Sequence, residues 1–195
     1  NEDQRYGNII YIYPGEVVTI KDLWMASLLA SDNTATEALI RAVGLDDASY
    51  SQKVEELARK FNLASDLHLV EPTGLSPDNQ ASARAVATIV KTALSQSEIR
   101  ETLLLEQYEI VTKQGRRQLV TNTDGFIRGS VAAPDSWQIL GGKTGYLDEA
   151  GYCFAALWRN NQGEELITVV LGAPTKEGRF TITKDLLNYI TEKYY

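Results

Sequence analysis

The hydrophobic pattern of this chain changes its period near residue 105, and that change restricts the fold more than any other feature. Before this point, apolar residues recur every three or four positions, as on one face of a helix. Thr19 stands three residues before Asp22, as in a capping box, and Gly44 follows an apolar stretch as a C-terminal stop. We therefore predict helices over roughly 20–30, from residue 33 to Val43, near 50–61, and after a capping Ser82.

After residue 105 the chain shows the short apolar stretches and turn signals of antiparallel strands. The segments 108–112 and 118–121 flank a hairpin turn, and a second hairpin turn stands at 160–163. Further strands are predicted over 8–13, 137–144, 151–159 and 165–172, and a last helix over roughly 178–193. The order of helices, strands and a helix favours an α+β fold with an antiparallel sheet over alternating βαβ units.

The composition is that of an ordinary globular chain, with 195 residues, 44% of them hydrophobic and 23% charged. A net charge of −7 and the lack of a basic run argue against nucleic-acid binding. One cysteine excludes an internal disulfide, and one histidine argues against a zinc site, so no metal and no cofactor is predicted. No apolar stretch reaches transmembrane length, and residues 1–5 lack the features of a signal peptide.

Two short motifs, far apart in the sequence, point to the chemistry. Ser31-Asp32-Asn33 follows the first predicted helix, and Lys143-Thr144-Gly145 lies in the predicted strand that begins near residue 137. They match S-x-N and K-T-G, two of the three signatures of penicillin-binding proteins and serine β-lactamases. The third, S-x-x-K, supplies the nucleophile, and no serine of this sequence has a lysine three positions later. Each motif alone also fits a structural role, as a turn between helices or a strand at a hairpin.

With these motifs the chain resembles the low-molecular-mass penicillin-binding proteins, the D-alanyl-D-alanine carboxypeptidases of the DacA type. Other matching stretches stand in family order: Glu71-Pro72-Thr73-Gly74-Leu75, like the N-P-x-G-L loop; Ala150-Gly151 after K-T-G; and Gly178-Arg179. The resemblance implies a β-lactamase/transpeptidase-like domain over 1–195, with an antiparallel sheet flanked by helices. A helical lobe is expected over about 20–104, and the sheet with the C-terminal helix over about 105–195. The S-x-x-K segment and the elements around it are expected upstream of residue 1.

The resemblance also implies catalytic roles for three residues. Ser31 would relay a proton toward the leaving amine, and Asn33 would hold the base and the backbone of the substrate. Lys143 would place positive charge beside Ser31, which eases proton transfer and attracts the carboxylate of the substrate.

Four more residues are implied to bind the substrate. Thr144 would donate its hydroxyl to the carboxylate, and Gly145 would let the peptide lie against the strand. The backbone N–H of Tyr146 would be one oxyanion donor. Arg179 would pair with the terminal carboxylate, unless it is simply an exposed arginine at the start of a helix.

The activity implied is cleavage of peptidoglycan stem peptides that end in D-Ala-D-Ala, through an acyl-enzyme, with β-lactam antibiotics as further ligands. The family also implies a place outside the cytoplasm, in the periplasm or on the outer face of the cell membrane. Two alternatives remain. One is a serine β-lactamase of the same fold, slightly favoured by Asp32, and the other is a non-catalytic binding remnant. Without S-x-x-K, this chain alone is expected to be inactive.

Overall fold

The computed structural model describes residues 10–194, with the side chain of Asp47 left aside. In this part of the chain the helices are α1 (Ile20–Ala30), α2 (Asn33–Ala42), α3 (Asp47–Lys60), α4 (Ala83–Leu94), α5 (Ser97–Leu103) and α6 (Gly178–Tyr194). The strands are β1 (Leu67–His68), β2 (Gln80–Ala81), β3 (Gln107–Val111), β4 (Arg117–Thr121), β5 (Trp137–Leu147), β6 (Gly151–Asn160) and β7 (Glu165–Ala173). The predicted α+β fold is confirmed. None of the helices within residues 10–194 is long and apolar enough to cross a membrane.

The predicted helix signals act as expected. The Thr19 hydroxyl accepts from the backbone N–H of Asp22 at 3.1 Å, and the Asp22 carboxylate accepts from the N–H of Thr19 at 2.8 Å. Ser82 caps α4 in the same way, and Gly44, just past α2, has a φ of +79°. By contrast, α5 was not predicted, because no side chain caps its first turn. It is held instead by its contacts with α1, α4 and β5.

The centre of the molecule is the antiparallel sheet β5-β6-β7 with helices on both faces. The middle strand, β6, is apolar without alternation because both of its faces are buried. Phe154 and Trp158 lie on the face covered by α6, where they pack with Phe126 and Phe180. The opposite face packs against α4 and α5, and Leu94, Leu103, Leu140 and Leu157 form that layer.

The hairpin β3–β4 forms a separate two-stranded sheet that packs on α1. Its Ile110 and Val120 bury against Leu29 of that helix. The hairpin therefore packs against the helices. It does not extend the β5-β6-β7 sheet, although it lies in the part of the sequence, about 105–195, where the sheet was expected.

The strand predicted over 8–13 is wrong for its described part, since residues 10–13 have no strand structure; residues 8 and 9 lie outside the described residues. The backbone groups here bond to side chains instead. The N–H of Ile10 donates to Asp32, and the carbonyl of Tyr11 accepts from Arg116. The apolar residues of this segment serve to pack it on α1 and the β3–β4 hairpin, where Ile10 is buried.

Candidate active site

A cleft of about 1110 Å³ lies between the helices α1, α2 and α4 and the strand β5. Among the described residues β5 is an edge strand, so one side of its backbone faces away from β6. The lining includes Ser31, Asn33, Thr73, Lys143, Thr144 and Arg179. The cleft therefore contains residues of both sequence motifs and of the 71–75 loop.

The Ser31-Asp32-Asn33 corner joins α1 to α2 and is shaped by its own side chains. Ser31 ends α1 in the left-handed conformation, with φ 57° and ψ 41°. Asp32 is 0% exposed and caps α2, with its Oδ1 accepting from the N–H of Ala35 at 2.6 Å. Burial raises the pKa of Asp32. Because Asp32 is turned into the corner, Ser31 and Asn33 are the two motif residues that line the cleft.

Lys143 extends from β5 across the cleft to this corner. Its ammonium donates to the Ser31 hydroxyl, a contact between residues 112 positions apart. The same ammonium lies 3.4 Å from the carbonyl oxygen of Thr144. The structure thus brings together the two motifs, as the sequence predicted.

In this position the pKa of Lys143 is subject to opposing influences. Burial, and then the positive charge of Arg179, lower the pKa of Lys143 to about 8, whereas Asp124 acts in the opposite direction. The ammonium is therefore mostly protonated at neutral pH and becomes neutral on mild alkalinisation. A lysine in this state can attract a carboxylate and can also take part in proton transfer.

Thr144 and Gly145 extend the site along β5. The Thr144 hydroxyl donates to the Thr123 hydroxyl at 2.6 Å, and the backbone N–H of Thr123 donates to Leu29 at 3.0 Å. Thr123 was not predicted, since a threonine after a strand belongs to no motif. A side chain at Gly145 would meet no atom of the described residues closer than the Cβ of Cys153 at 3.7 Å. Packing within the protein therefore does not require glycine there.

Arg179 lies beneath this part of the strand, at the start of α6. It is 4% exposed, so the alternative of a surface arginine is wrong. Its Nη1 donates to the carbonyl of Gly145 at 3.3 Å and lies 3.5 Å from that of Cys153. Its guanidinium stands 4.9 Å from the ring centre of Phe180. Arg179 therefore ties α6 to β5 and β6 directly under the cleft.

Two further features shape the rim. Tyr146 is 53% exposed and stacks on Tyr152 with ring centres 4.3 Å apart, while the oxyanion role of its backbone N–H stays a prediction. In the 71–75 loop, the Glu71 carboxylate accepts from the N–H groups of Thr73 at 2.7 Å and Gly74 at 2.8 Å. Burial raises the pKa of Glu71, but these bonds and that of the Thr73 hydroxyl outweigh it and lower the pKa.

Comparison with known proteins agrees with this geometry. Residues 1–175 match the family model described as D-alanyl-D-alanine carboxypeptidase, peptidase family S11. The chain belongs to this family. It is 26% identical over 191 residues to the D-alanyl-D-alanine carboxypeptidase DacF of Bacillus subtilis, and 27% identical over 175 residues to DacA of Haemophilus influenzae. These alignments cover 96% and 88% of this chain but 46% and 42% of the relatives, so the chain spans less than half of their length.

Solved structures show the same fold. A D-alanyl-D-alanine carboxypeptidase from Mycobacterium tuberculosis aligns with a TM-score of 0.81 at 22% identity, over 96% of this chain and 70% of that one. The Streptomyces K15 DD-transpeptidase aligns with a TM-score of 0.80 at 23% identity, over 94% and 71%. The expected transpeptidase-like fold is thereby confirmed. This carboxypeptidase-family chain holds S-x-N and K-T-G in contact, and its sequence contains no S-x-x-K.

Proposed function

We propose that this chain forms the S-x-N and K-T-G part of a serine D-Ala-D-Ala carboxypeptidase site, which acts on peptidoglycan stem peptides through an acyl-enzyme. The contact between the Lys143 ammonium and the Ser31 hydroxyl carries the proposal. It brings a positive charge and a serine hydroxyl to one point of a cleft large enough for a peptide, and this supports a role of Ser31 in proton transfer. Membership of the carboxypeptidase family supports the choice of reaction and substrate.

Different residues act in the different steps of acyl transfer. A serine hydroxyl needs an adjacent base to attack a carbonyl, and in the family the S-x-x-K segment supplies both groups. The attack forms an ester with the penultimate D-alanine and breaks the peptide bond. The base takes the proton of the attacking hydroxyl, and Ser31 relays a proton to the departing amine of the last D-alanine. Water then hydrolyses the ester, which releases the shortened peptide and restores the serine hydroxyl. Lys143, Thr144 and the buried Arg179 make this end of the cleft attractive to the terminal carboxylate.

The two alternatives from the sequence gain no specific support. Asp32, the one residue that favoured a β-lactamase, is enclosed as a helix cap and does not line the cleft. A carboxypeptidase releases D-alanine from a diacylated D-Ala-D-Ala peptide faster than it turns over penicillin, and a β-lactamase does the reverse. A protein that only binds does neither. The family further favours a site of action outside the cytoplasm.

The test is intact-mass spectrometry after incubation with penicillin. The 195-residue chain is expected to remain unmodified, since the nucleophile motif is absent from its sequence. A version joined to an upstream S-x-x-K segment is expected to gain one penicillin mass and to release D-alanine from the peptide. The Lys143→Ala variant of that version serves as the matched control and should lose both reactions. An adduct on the 195-residue chain, or full activity without Lys143, would contradict the proposal.

A further inference from the structure

Behind the K-T-G strand lies a carboxylate that the proposed reaction does not use. Asp124, in the loop after β4, is 0% exposed. Its Oδ1 accepts from the N–H of Phe126 at 2.8 Å, and its own N–H donates to Asn122 at 2.9 Å. Its Oδ2 is buried and has no hydrogen-bond partner among the residues that the structure describes. Since a buried oxygen without a donor is costly, its position calls for a compensating interaction.

The nearest part of the strand is Gly142, directly before Lys143. A Cβ at Gly142 would stand 2.9 Å from the Asp124 Oδ2 and 2.8 Å from Phe154, so only glycine leaves room for the carboxylate. Side chains alternate along a strand. Position 142 therefore faces Asp124 and the α6 layer, while Lys143 points to the other face and reaches Ser31.

The charged groups that act on Asp124 are Lys143 on β5 and Arg179 on α6. Burial raises the pKa of Asp124 to about 6, against the pull of its backbone hydrogen bonds and these two cations. At neutral pH the carboxylate is thus mostly ionised. It lies beside β5. The partly buried ammonium of Lys143 is on the far face of this strand, and the buried guanidinium of Arg179 is beneath the strand.

We propose that Asp124 is a positioning residue, a buried counter-ion beside Lys143 and Arg179 that keeps the Lys143 ammonium charged. The positive charge of Arg179 lowers the pKa of Lys143, and the carboxylate of Asp124 acts against this repulsion. Asp124 raises the pKa of Lys143 and that of Arg179, against the burial that lowers both. The consequence for binding of a peptide carboxylate rests on the proposed function, whereas the effect on Lys143 itself does not.

The charge of Lys143 can be followed without any substrate. In a chain labelled with ¹³C-lysine, the Cε signal of Lys143 is assigned by its loss in Lys143→Met and is titrated by NMR from pH 5 to 11. Asp124→Asn should move the midpoint to lower pH, and Arg179→Gln should move it to higher pH. Glu55→Gln removes an exposed carboxylate on α3 and should leave the midpoint in place.

A folded Asp124→Asn variant whose Lys143 midpoint is unchanged or higher would overturn the proposal. The wild-type chain gives an independent check if that variant does not fold. Its Lys143 signal should show a second, smaller inflection near pH 6 as Asp124 ionises, and a curve with a single inflection would also overturn the proposal. Binding of a D-Ala-D-Ala peptide is measured separately. Expected titrations of Lys143, with no peptide binding by the version joined to an S-x-x-K segment, would refute the proposed function and leave the counter-ion role intact.

Discussion

Two glycines of one strand are present for different physical reasons. Gly142 is required by the protein, since an added Cβ would collide with Phe154 and Asp124. Within residues 10–194, Gly145 has free space around it. We therefore propose that its lack of a side chain serves a ligand backbone along the open edge of β5, as the family resemblance implied.

Alanine at each of these positions separates the two reasons. We expect Gly142→Ala to lower the free energy of unfolding by about 1–3 kcal/mol through overpacking. Gly145→Ala should change it by less than about 0.5 kcal/mol, yet weaken binding of a D-Ala-D-Ala peptide. Urea denaturation and calorimetric titration measure the two effects. Equal losses of stability in both variants would show that Gly145 is also a packing residue.

Lys143 should be a residue that favours function at a cost in stability. Its pKa is about 8 in the folded chain and 10.5 as a free side chain, so the fold disfavours the ammonium. Lys143→Met is therefore expected to raise the free energy of unfolding at pH 7, by up to about 3 kcal/mol. The wild type should regain this difference as the pH rises through 8 toward 10.5. Denaturation curves at pH 7 and pH 10 provide the check, and a destabilised variant at pH 7 would contradict the expectation.

At the scale of elements, the S-x-N corner depends on the cap of α2. Asp32→Ala removes the acceptor for Ala35 and leaves the N–H of Ile10 without its partner. It should cost more than Ser82→Ala, the matched cap of α4, for which about 1 kcal/mol is expected. Thermal unfolding compares the two variants. Asp32→Ser, which keeps a capping oxygen, should preserve peptide affinity, and a large loss of affinity would assign Asp32 a direct part in binding.

Helices and strands could be predicted from the sequence where the interactions that form them are local in the chain. The starts of α1 and α4 were predictable because Thr19 and Ser82 bond to N–H groups three residues away. The start of α5 was missed because it has no such bond. The segment before Pro14 was misread as a strand, since an apolar pattern does not reveal whether side chains or a neighbouring strand will bond its backbone.

At the scale of the whole molecule, the site exists only because distant segments meet. Motifs located Ser31, Asn33 and Lys143, and the structure adds their contact and the cleft around them. Thr123 and Asp124 have no sequence signal, because their contacts arise where the loop after β4 passes beside β5. Arg179 was located by resemblance, but its burial and its bonds to two strands required the fold.

The buried carboxylate of Asp124 should also make the free energy of unfolding of the whole chain depend on pH. The pKa of Asp124 is about 6 in the folded chain and 3.8 as a free side chain, so the fold favours its protonated form. That stabilisation is complete below about pH 4 and is lost as the pH rises through 6, a change of about 3 kcal/mol. Glu16, whose pKa is lowered to about 2 chiefly by its hydrogen bond with Arg116, acts in the opposite direction below pH 4.5.

Comparison with Asp124→Asn removes the contribution of Glu16, which is common to both chains, and leaves that of Asp124 together with the shift that it causes in the titration of Lys143. Between pH 4 and pH 7, the free energy of unfolding of the wild type should fall relative to the variant. Lys143 stays largely protonated in the wild type over this range, so its own titration contributes little. Urea denaturation at intervals of one pH unit measures the difference. A difference that stays constant from pH 4 to pH 7 would contradict this expectation, because it would mean that the fold leaves the pKa of Asp124 near its value of 3.8 as a free side chain.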